Sequence, residues 1–569
     1  MASQQDPQAS QVAILAANSF EQTLYVRLDH CQREQPIDST VRPSFEPEPQ
    51  RGPEFTPFYV PEREPQVRQL PPTPLLLFQQ FLPIFLVEEW VRYTNNGPRP
   101  GPEGPKQQNS RENSWSETSL GEIFLWVATL IYMGLHKEIR VRDHWKTSSA
   151  NSMHPIHPIL QFMSFDRFFL LQRHIRISDS NSISCGLPTP YAQVNEWSEH
   201  IQQASLALCQ LGTCLAVDEC IVGYTGRSKQ TVTVKNKPTP TGFKVWIVAQ
   251  AGYFLRWLWH QPSNALGPAA GKERKKATGT AESGISLNPT QSVVVALLEQ
   301  LPEQTYHVFL DNLFSSPNLL NALRQQGIGA TGTARINCGF YQPFVEAKKA
   351  DTKGDCWPWG TLKTAPTPDG QVNQFAWKDN ALVLFLSTVY SGEEFEERIR
   401  RRPTTTQPRA RPIQQKFGAE PVLRLPVPSI SADYNDKMGG VDIGDQLRAG
   451  EGLDHRICRG NWRAIAWTFL LETALVNSFL LQLWGQPSWP RITSQLKTAA
   501  QDSCFELATH LRLLPSINMS TVQNALPVLP VKASKLGSQD HKVGASRWEQ
   551  PAAIRSRLQR LAKDATNAM

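Results

Sequence analysis

Paired cysteines are missing from this chain. Its nine cysteines are scattered, no CxxC pair occurs, and none follows Cys504. The closest set, Cys209, Cys214 and Cys220, has spacings of five and six. Structural zinc sites draw on closely spaced ligand pairs, so this pattern argues against one. An odd count without a secretory start points to reduced thiols inside a cell. A secretory start is missing too: "MASQQDPQASQVAILAANSF" has neither a basic opening nor a long apolar run. The most apolar window is too short to span a bilayer. The most apolar window, "IFLWVATLIYMGL" at 123–135, is followed at once by His136, Lys137 and Glu138, and reads as a buried helix. Strong charge is also lacking. A net charge of +7 and a pI near 8.9 permit a nucleic-acid partner without requiring one.

What is present is core-forming material. Hydrophobic residues make up 40% and tryptophans number 16, enough for a mostly folded protein. A length of 569 residues suggests roughly three or four domains. Residues 1–70 are polar and proline-rich ("RPSFEPEPQRGPEFTPFYVPEREP"), a composition that predicts disorder with at most short docked pieces. A second linker covers about 95–114. Residues 71–210 read as helical, with apolar residues every three or four positions in "LLLFQQFLPIFLVEEWVRYT" and "LGEIFLWVATLIYMGL". "SFDRFFLLQRHIRIS" places Arg167, Arg173, His174 and Arg176 on its polar side, as either a solvated face or a phosphate-contacting one.

Near residue 211 the texture changes. "CLAVDECIVGY", "FKVWIVAQA" and "YHVFLDNL" are short β-branched and aromatic runs that predict strands. "QSVVVALLEQL" and "SSPNLLNALRQQG" predict helices, the second with a serine cap, Pro317 in its first turn and Gly327 as terminator. Alternating strands and helices predict an α/β layer over 211–335. Residues 255–290 read as a polar insertion containing "KERKK". A separate block spans 336–429, with a strand at "ALVLFLSTVY" and an acidic-then-basic end, "EEFEERIRRRPTTTQPRARP". That run is a solvated loop, a nuclear-import signal or a DNA-backbone contact. Residues 430–450 hold a glycine pair followed by acids, 451–524 a long apolar helix or helix pair, and 525–569 a basic tail.

The acids carry the chemistry. Asp218 ends the run "CLAVD" and Asp311 ends "YHVFLD". Carboxylates at the carboxyl ends of strands sit on the rim where α/β proteins place their sites. Side by side and bare they would repel, so one is protonated or a cation lies between them. Asp442, at a helix start after Gly439 and Gly440, is placed to close the same site. Asp445, three residues on, either orients a metal, caps the helix or binds Arg448, and is kept in the candidate metal set. Oxygen donors of this kind suit Mg²⁺ or Mn²⁺. Two such ions about 4 Å apart clamp an in-line phosphoryl displacement. Any one of these aspartates taken alone is equally a strand-end or cap residue.

The wording around the acids resembles the piggyBac transposase family. "VDECIVGYTGRS", "DNLFSSPNLLNALRQQGIGATGTAR" and "YNDKMGGVDIGDQLRA" match its ordered motifs, and "DHW", "FMSFDRFFLLQRHIRISD" and "NWRAIAWTFLLETALVNSFLL" extend the likeness over roughly 70–485. The resemblance implies a ribonuclease-H-like catalytic core (211–335 and 430–450) interrupted by an insertion domain (336–429) and flanked by helical dimerisation and DNA-binding segments (71–210 and 451–524). It implies catalytic Asp218, Asp311 and Asp442, with Asp445 as an additional acid, and a Mg²⁺- or Mn²⁺-dependent cut-and-paste reaction at TTAA. Double-stranded DNA, a homodimer and the nucleus follow from it, and no membrane. The family's usual cysteine-rich zinc finger has no counterpart here, and "TPTGFKVW" lacks the aromatic that often precedes the glycine. The alternative is therefore a domesticated DNA-binding derivative without transposition activity.

Overall fold

The computed structural model describes residues 43–48, 52–97, 111–147, 155–179, 189–261 apart from 225, 227, 236 and 238, then 285–450 and 462–485. The chain divides into two compact units. The larger takes 57–338, 386–389 and 433 onward; the smaller takes 1–56, 339–385 and 390–432.

The larger unit begins with helices α1 (Pro74–Phe81), α2 (Ile84–Asn96), α3 (Leu120–Leu135), α4 (Phe165–His174) and α5 (Asn195–Leu208). Thr73, Ser119 and Ser164 cap α1, α3 and α4 by accepting backbone N–H groups that the helix itself leaves unpaired. The apolar window in α3 is buried from Ile123 to Gly134, as its composition predicts. Trp90, Trp126, Trp197 and Trp467 meet in one cluster, with ring centroids 4.9 to 6.5 Å apart. Tilted and edge-on aromatic packing of this kind adds to the area buried.

On helix α4, Arg167, Arg173 and His174 meet acids, and Arg173 remains exposed. His174 is buried, bonded to Glu112 at 2.7 Å and stacked on Trp115; Arg173 also reaches Glu112, at 3.0 Å. Arg167 pairs with Glu122 at 2.5 Å and lies over the Trp115 ring. The acids that neutralise these cations lie far upstream in sequence, so the helix read by itself gives no hint of them.

The sheet follows: β1 (Cys214–Gly223), β2 (Thr241–Gln250), β3 (Tyr253–Trp259), α6 (Pro289–Leu298), β4 (His307–Leu310), α7 (Pro317–Gln325) and β5 (Gly329–Thr333). Spatial order is β3-β2-β1-β4-β5. The first three strands are antiparallel, and β4 and β5 run parallel to β1 and to each other. The class is mixed α/β. Ser316 caps α7 and Pro317 fills its first turn, where the lost N–H costs nothing. Strand β3 overlaps the start of the stretch 255–290 expected to be a polar insertion. Its "YFLRWLW" is one arm of a hairpin whose two-residue turn, Ala251 and Gly252, has φ of 48° and 96°. Consecutive positive φ values match the twist of a tight hairpin.

In the smaller unit, strand Ser44–Pro47 pairs in parallel with β6 (Thr361–Pro366), which pairs antiparallel with β7 (Asn373–Lys378); β8 (Leu382–Ser387) follows. α8 (Gln342–Lys353) precedes them. β9 (Phe395–Arg401) and β10 (Val422–Pro428) form a hairpin over α9 (Arg411–Phe417), with Ile413, Phe417 and Leu425 as its core. The stretch expected to be a disordered tail thus contains placed pieces. In the larger unit, Phe58 N–H donates to the Thr388 carbonyl and Arg63 N–H to Thr213 Oγ1, each at 2.7 Å. Of the linker expected at 95–114, residues 98–110 lie outside the described residues, as do the "KERKK" stretch and the tail from 525.

The chain ends its described course with α10 (Ser429–Lys437), α11 (Gly440–Gly450) and α12 (Trp462–Gly485). Residues 466–485 are apolar and long enough to cross a membrane, yet 72% of that stretch is buried inside the protein. Helix α11 lies hard against the sheet because two glycines let it. A Cβ on Gly444 would sit 2.3 Å from the Phe254 ring and 2.5 Å from the Gly252 carbonyl oxygen; one on Gly440 would meet the Ala216 methyl at 3.1 Å.

Candidate active site

The parallel register of β1 and β4 runs from Cys214 opposite His307 to Val217 opposite Leu310. The next residue on each strand is Asp218 and Asp311. Two carboxylates thus stand on neighbouring strands where the β1–β4 pairing ends. Asp311 leaves β4 as expected. Asp218 does not end its strand: β1 continues to Gly223 along β2. Sheet packing therefore buries Asp218, which is 9% exposed.

Burial dominates the electrostatics. It pushes the Asp218 carboxyl up to about 8, with Glu219 and Asp311 adding to the shift and Lys237 opposing it. The Glu219 N–H bonds to the Asp218 carboxylate at 2.7 Å, too little to reverse this. Asp311 is raised too, first by burial, against an N–H bond from Leu313 at 2.7 Å. Carboxylates in such surroundings hold a proton or a cation.

Residues that sequence reasoning missed frame the pair. Glu219 binds the Lys237 ammonium at 3.1 Å and lies 3.8 Å from that of Lys244. Burial works against the Lys237 charge, but Glu219, Asp218 and Asp442 together outweigh it and raise its pKa. Burial lowers Lys244, whose ammonium rests 3.8 Å above the Trp246 ring. Tyr434 on α10 bonds Thr333 at 3.0 Å, and burial together with the charges of Asp311 and Asp218 holds its hydroxyl up at about 12. Arg335 pairs with Asn312 beside Asp311, at 2.9 Å. A lysine in "VKNKPTP" and an acid next to Asp218 were the available signals.

Asp442 lies in the first turn of α11 and is exposed. Asp445 is turned elsewhere: its carboxylate accepts from Arg448 at 2.6 Å and from the Cys220 thiol at 3.1 Å. Among the described residues, no group of three or more His, Cys, Asp or Glu side chains is close enough to hold a metal ion. The donor chemistry nonetheless suits one. Asp218 and Asp311 are hard-oxygen donors on neighbouring strands, Asp218 and Asp442 both act on the Lys237 ammonium, and such donors favour Mg²⁺ or Mn²⁺.

Residues 73–479 match the family described as Transposase IS4. The human piggyBac transposable element-derived protein 2 is 24% identical over 359 residues, covering 62% of this chain and 53% of its own length. The human piggyBac transposable element-derived protein 3 is 26% identical over 327 residues, covering 56% and 48%. The chain thus spans about half the length of these curated relatives. Among solved structures, a cryo-EM structure of a piggyBac transposase synaptic complex with hairpin DNA superposes with a TM-score of 0.57 at 18% identity, over 81% of this chain and 87% of that one. That likeness is one of fold.

Proposed function

The chain belongs to the family of piggyBac transposases and piggyBac transposable element-derived proteins, and from that premise we propose that it is a metal-dependent DNA strand transferase acting through Asp218, Asp311 and Asp442. The carrying observation is the pair Asp218–Asp311, next in register on parallel neighbouring strands and buried. The strand order β3-β2-β1-β4-β5 supports a ribonuclease-H-like core. Bound divalent cations would supply Lewis-acid activation of the attacking oxygen and charge stabilisation of the leaving one.

This chain's residues would do the rest. Asp218 and Asp311, on adjacent strands, would hold the cations together with Asp442 at the start of α11. Lys237, bonded to Glu219, would meet a backbone phosphate. Lys244 holds Glu219 in place and keeps that acid from competing. Substrate is double-stranded DNA with a TTAA junction, first hydrolysed at a transposon end and then joined through the freed 3′ hydroxyl. A homodimer and nuclear location accompany this reading.

One observation favours a second reading: Asp442 is exposed, and no three-carboxylate cluster forms among the described residues. The chain would then be a domesticated DNA-binding protein. The test incubates purified protein with Mg²⁺ or Mn²⁺ and a duplex carrying flanking DNA with a TTAA junction. Nicked, hairpinned or joined strands that vanish in Asp218→Asn support the transferase. DNA binding without products supports the binding protein.

A further inference from the structure

Helix α11 carries Asp442 in its first turn and Arg448 in its last. Arg448 is 9% exposed and joins three elements. Its Nη2 donates to Asp445 at 2.6 Å and lies 3.5 Å from the Cys220 sulfur on β1; its Nη1 donates to Glu472 on α12 at 2.6 Å. The Cys220 thiol also donates to Asp445, at 3.1 Å, and the guanidinium lies over the Phe469 ring. Cys220 is two residues past Asp218, so the two side chains share a face of β1. Ala216, on that same face, packs against Gly440. Asp218 therefore lies between two points at which α11 touches its strand.

The chemistry of this cluster is more than packing requires. Well-fitted apolar side chains would hold two helices and a strand together as strongly, because burying a guanidinium and the Glu472 carboxylate carries a large desolvation cost. A forked guanidinium adds direction: it fixes rotation and register, which point contacts do not. Rotation of α11 is what determines where Asp442, six residues earlier, points.

We propose that Arg448 is a positioning residue. Anchored by Asp445, Glu472 and Cys220, it sets the rotation and depth of α11 against β1 and so presents Asp442 to the Asp218–Asp311 pair. Asp445 acts through Arg448 and not as a metal ligand. This rests on the reading of the three acids as a metal site.

The test uses the full chain as wild type, Arg448→Lys, Glu472→Gln, Asp445→Asn and Asp218→Asn. Mn²⁺ binding is followed by electron paramagnetic resonance, and alkylation of Cys220 by mass spectrometry. Arg448→Lys and Glu472→Gln are expected to expose Cys220 and to weaken Mn²⁺ binding about 10- to 100-fold, as loss of supporting contacts does at other metal sites. Asp445→Asn should match them, and its combination with Arg448→Lys should be no worse than either alone. Should Arg448→Lys not fold, Glu472→Gln, which keeps its volume, carries the same expectation. Mn²⁺ affinity within about twofold of wild type in these variants, with Cys220 exposed, would reduce the network to a structural role and overturn the proposal. So would an Asp445→Asn loss as complete as that of Asp218→Asn while Arg448→Lys binds normally. A wild type that binds no Mn²⁺ overturns the metal-site reading itself, and the proposal with it.

Discussion

Two buried acids in this molecule behave in opposite ways. Asp351, in the smaller unit, is opposed by burial, yet the Leu382 N–H at 2.9 Å and the Lys378 ammonium at 2.8 Å outweigh it and hold its carboxyl below the usual range. Lys378 is itself fully buried and donates to the Arg409 carbonyl at 2.7 Å. Asp218, in the larger unit, is nearly as buried but meets Glu219 and Asp311, and its carboxyl rises to about 8. One acid has partners enough to remain charged for good. The other has one N–H bond and the Lys237 charge against burial and two neighbouring acids, and these do not suffice. Burial opposes the charged form of both acids; the hydrogen bonds and charges set against it decide the direction of each shift.

The sharpest break is in activity. Asp311→Asn should abolish Mn²⁺-dependent cleavage, a loss of at least about a thousandfold, while DNA affinity in gel shift stays equal or rises. Melting in EDTA should stay equal or rise as well, because the substitution relieves repulsion. Asp351→Asn should do the reverse. It leaves the Lys378 ammonium buried without a counter-charge and should lower stability by about 3–5 kcal/mol in urea titration. Equal destabilisation by both would erase the distinction.

That distinction was only half legible in the sequence. Asp218 and Asp311 announced themselves by closing apolar runs whose texture predicts strands; that the two strands are neighbours comes from their pairing. The serine cap and proline of α7 were equally plain, since capping chemistry is local. What failed to show was non-local. The acids that neutralise α4, Glu112 and Glu122, precede it by dozens of residues. β3 was hidden because "YFLRWLW" leads straight into polar sequence, and only the pairing with β2 defines it as a strand. Lys237 showed only as a lysine in "VKNKPTP", since its meaning depends on acids from β1 and α11 meeting around it. Asp445 could be read as ligand, cap or ion-pair partner because one-dimensional spacing permits all three; the structure adds its contacts with Arg448 and Cys220.

A third buried group extends the comparison to pH. His307, at the start of β4, bonds Thr331 at 2.8 Å, and burial drives its pKa down to about 3. The unfolded chain protonates a histidine near 6.5 while the folded one remains neutral. Stability is therefore intact above about pH 6.5 and falls by up to about 1.4 kcal/mol per pH unit as pH drops toward 3. His307→Gln should flatten that acid limb in urea titrations across pH. An unchanged limb would assign it to other groups.

The smallest effect tests whether the acids at the candidate site really lack a cation. Lys237 is partly exposed, so its interaction with Glu219 is screened, and Lys237→Met should cost only about 0.5–1 kcal/mol in EDTA. Its direction under metal is the informative part. If Lys237 stands in for a divalent ion among Asp218, Glu219 and Asp442, saturating Mn²⁺ supplies the missing charge and the deficit should disappear. A deficit that persists in Mn²⁺ means that Lys237 serves Glu219 alone, and that the ammonium and the metal occupy different ground.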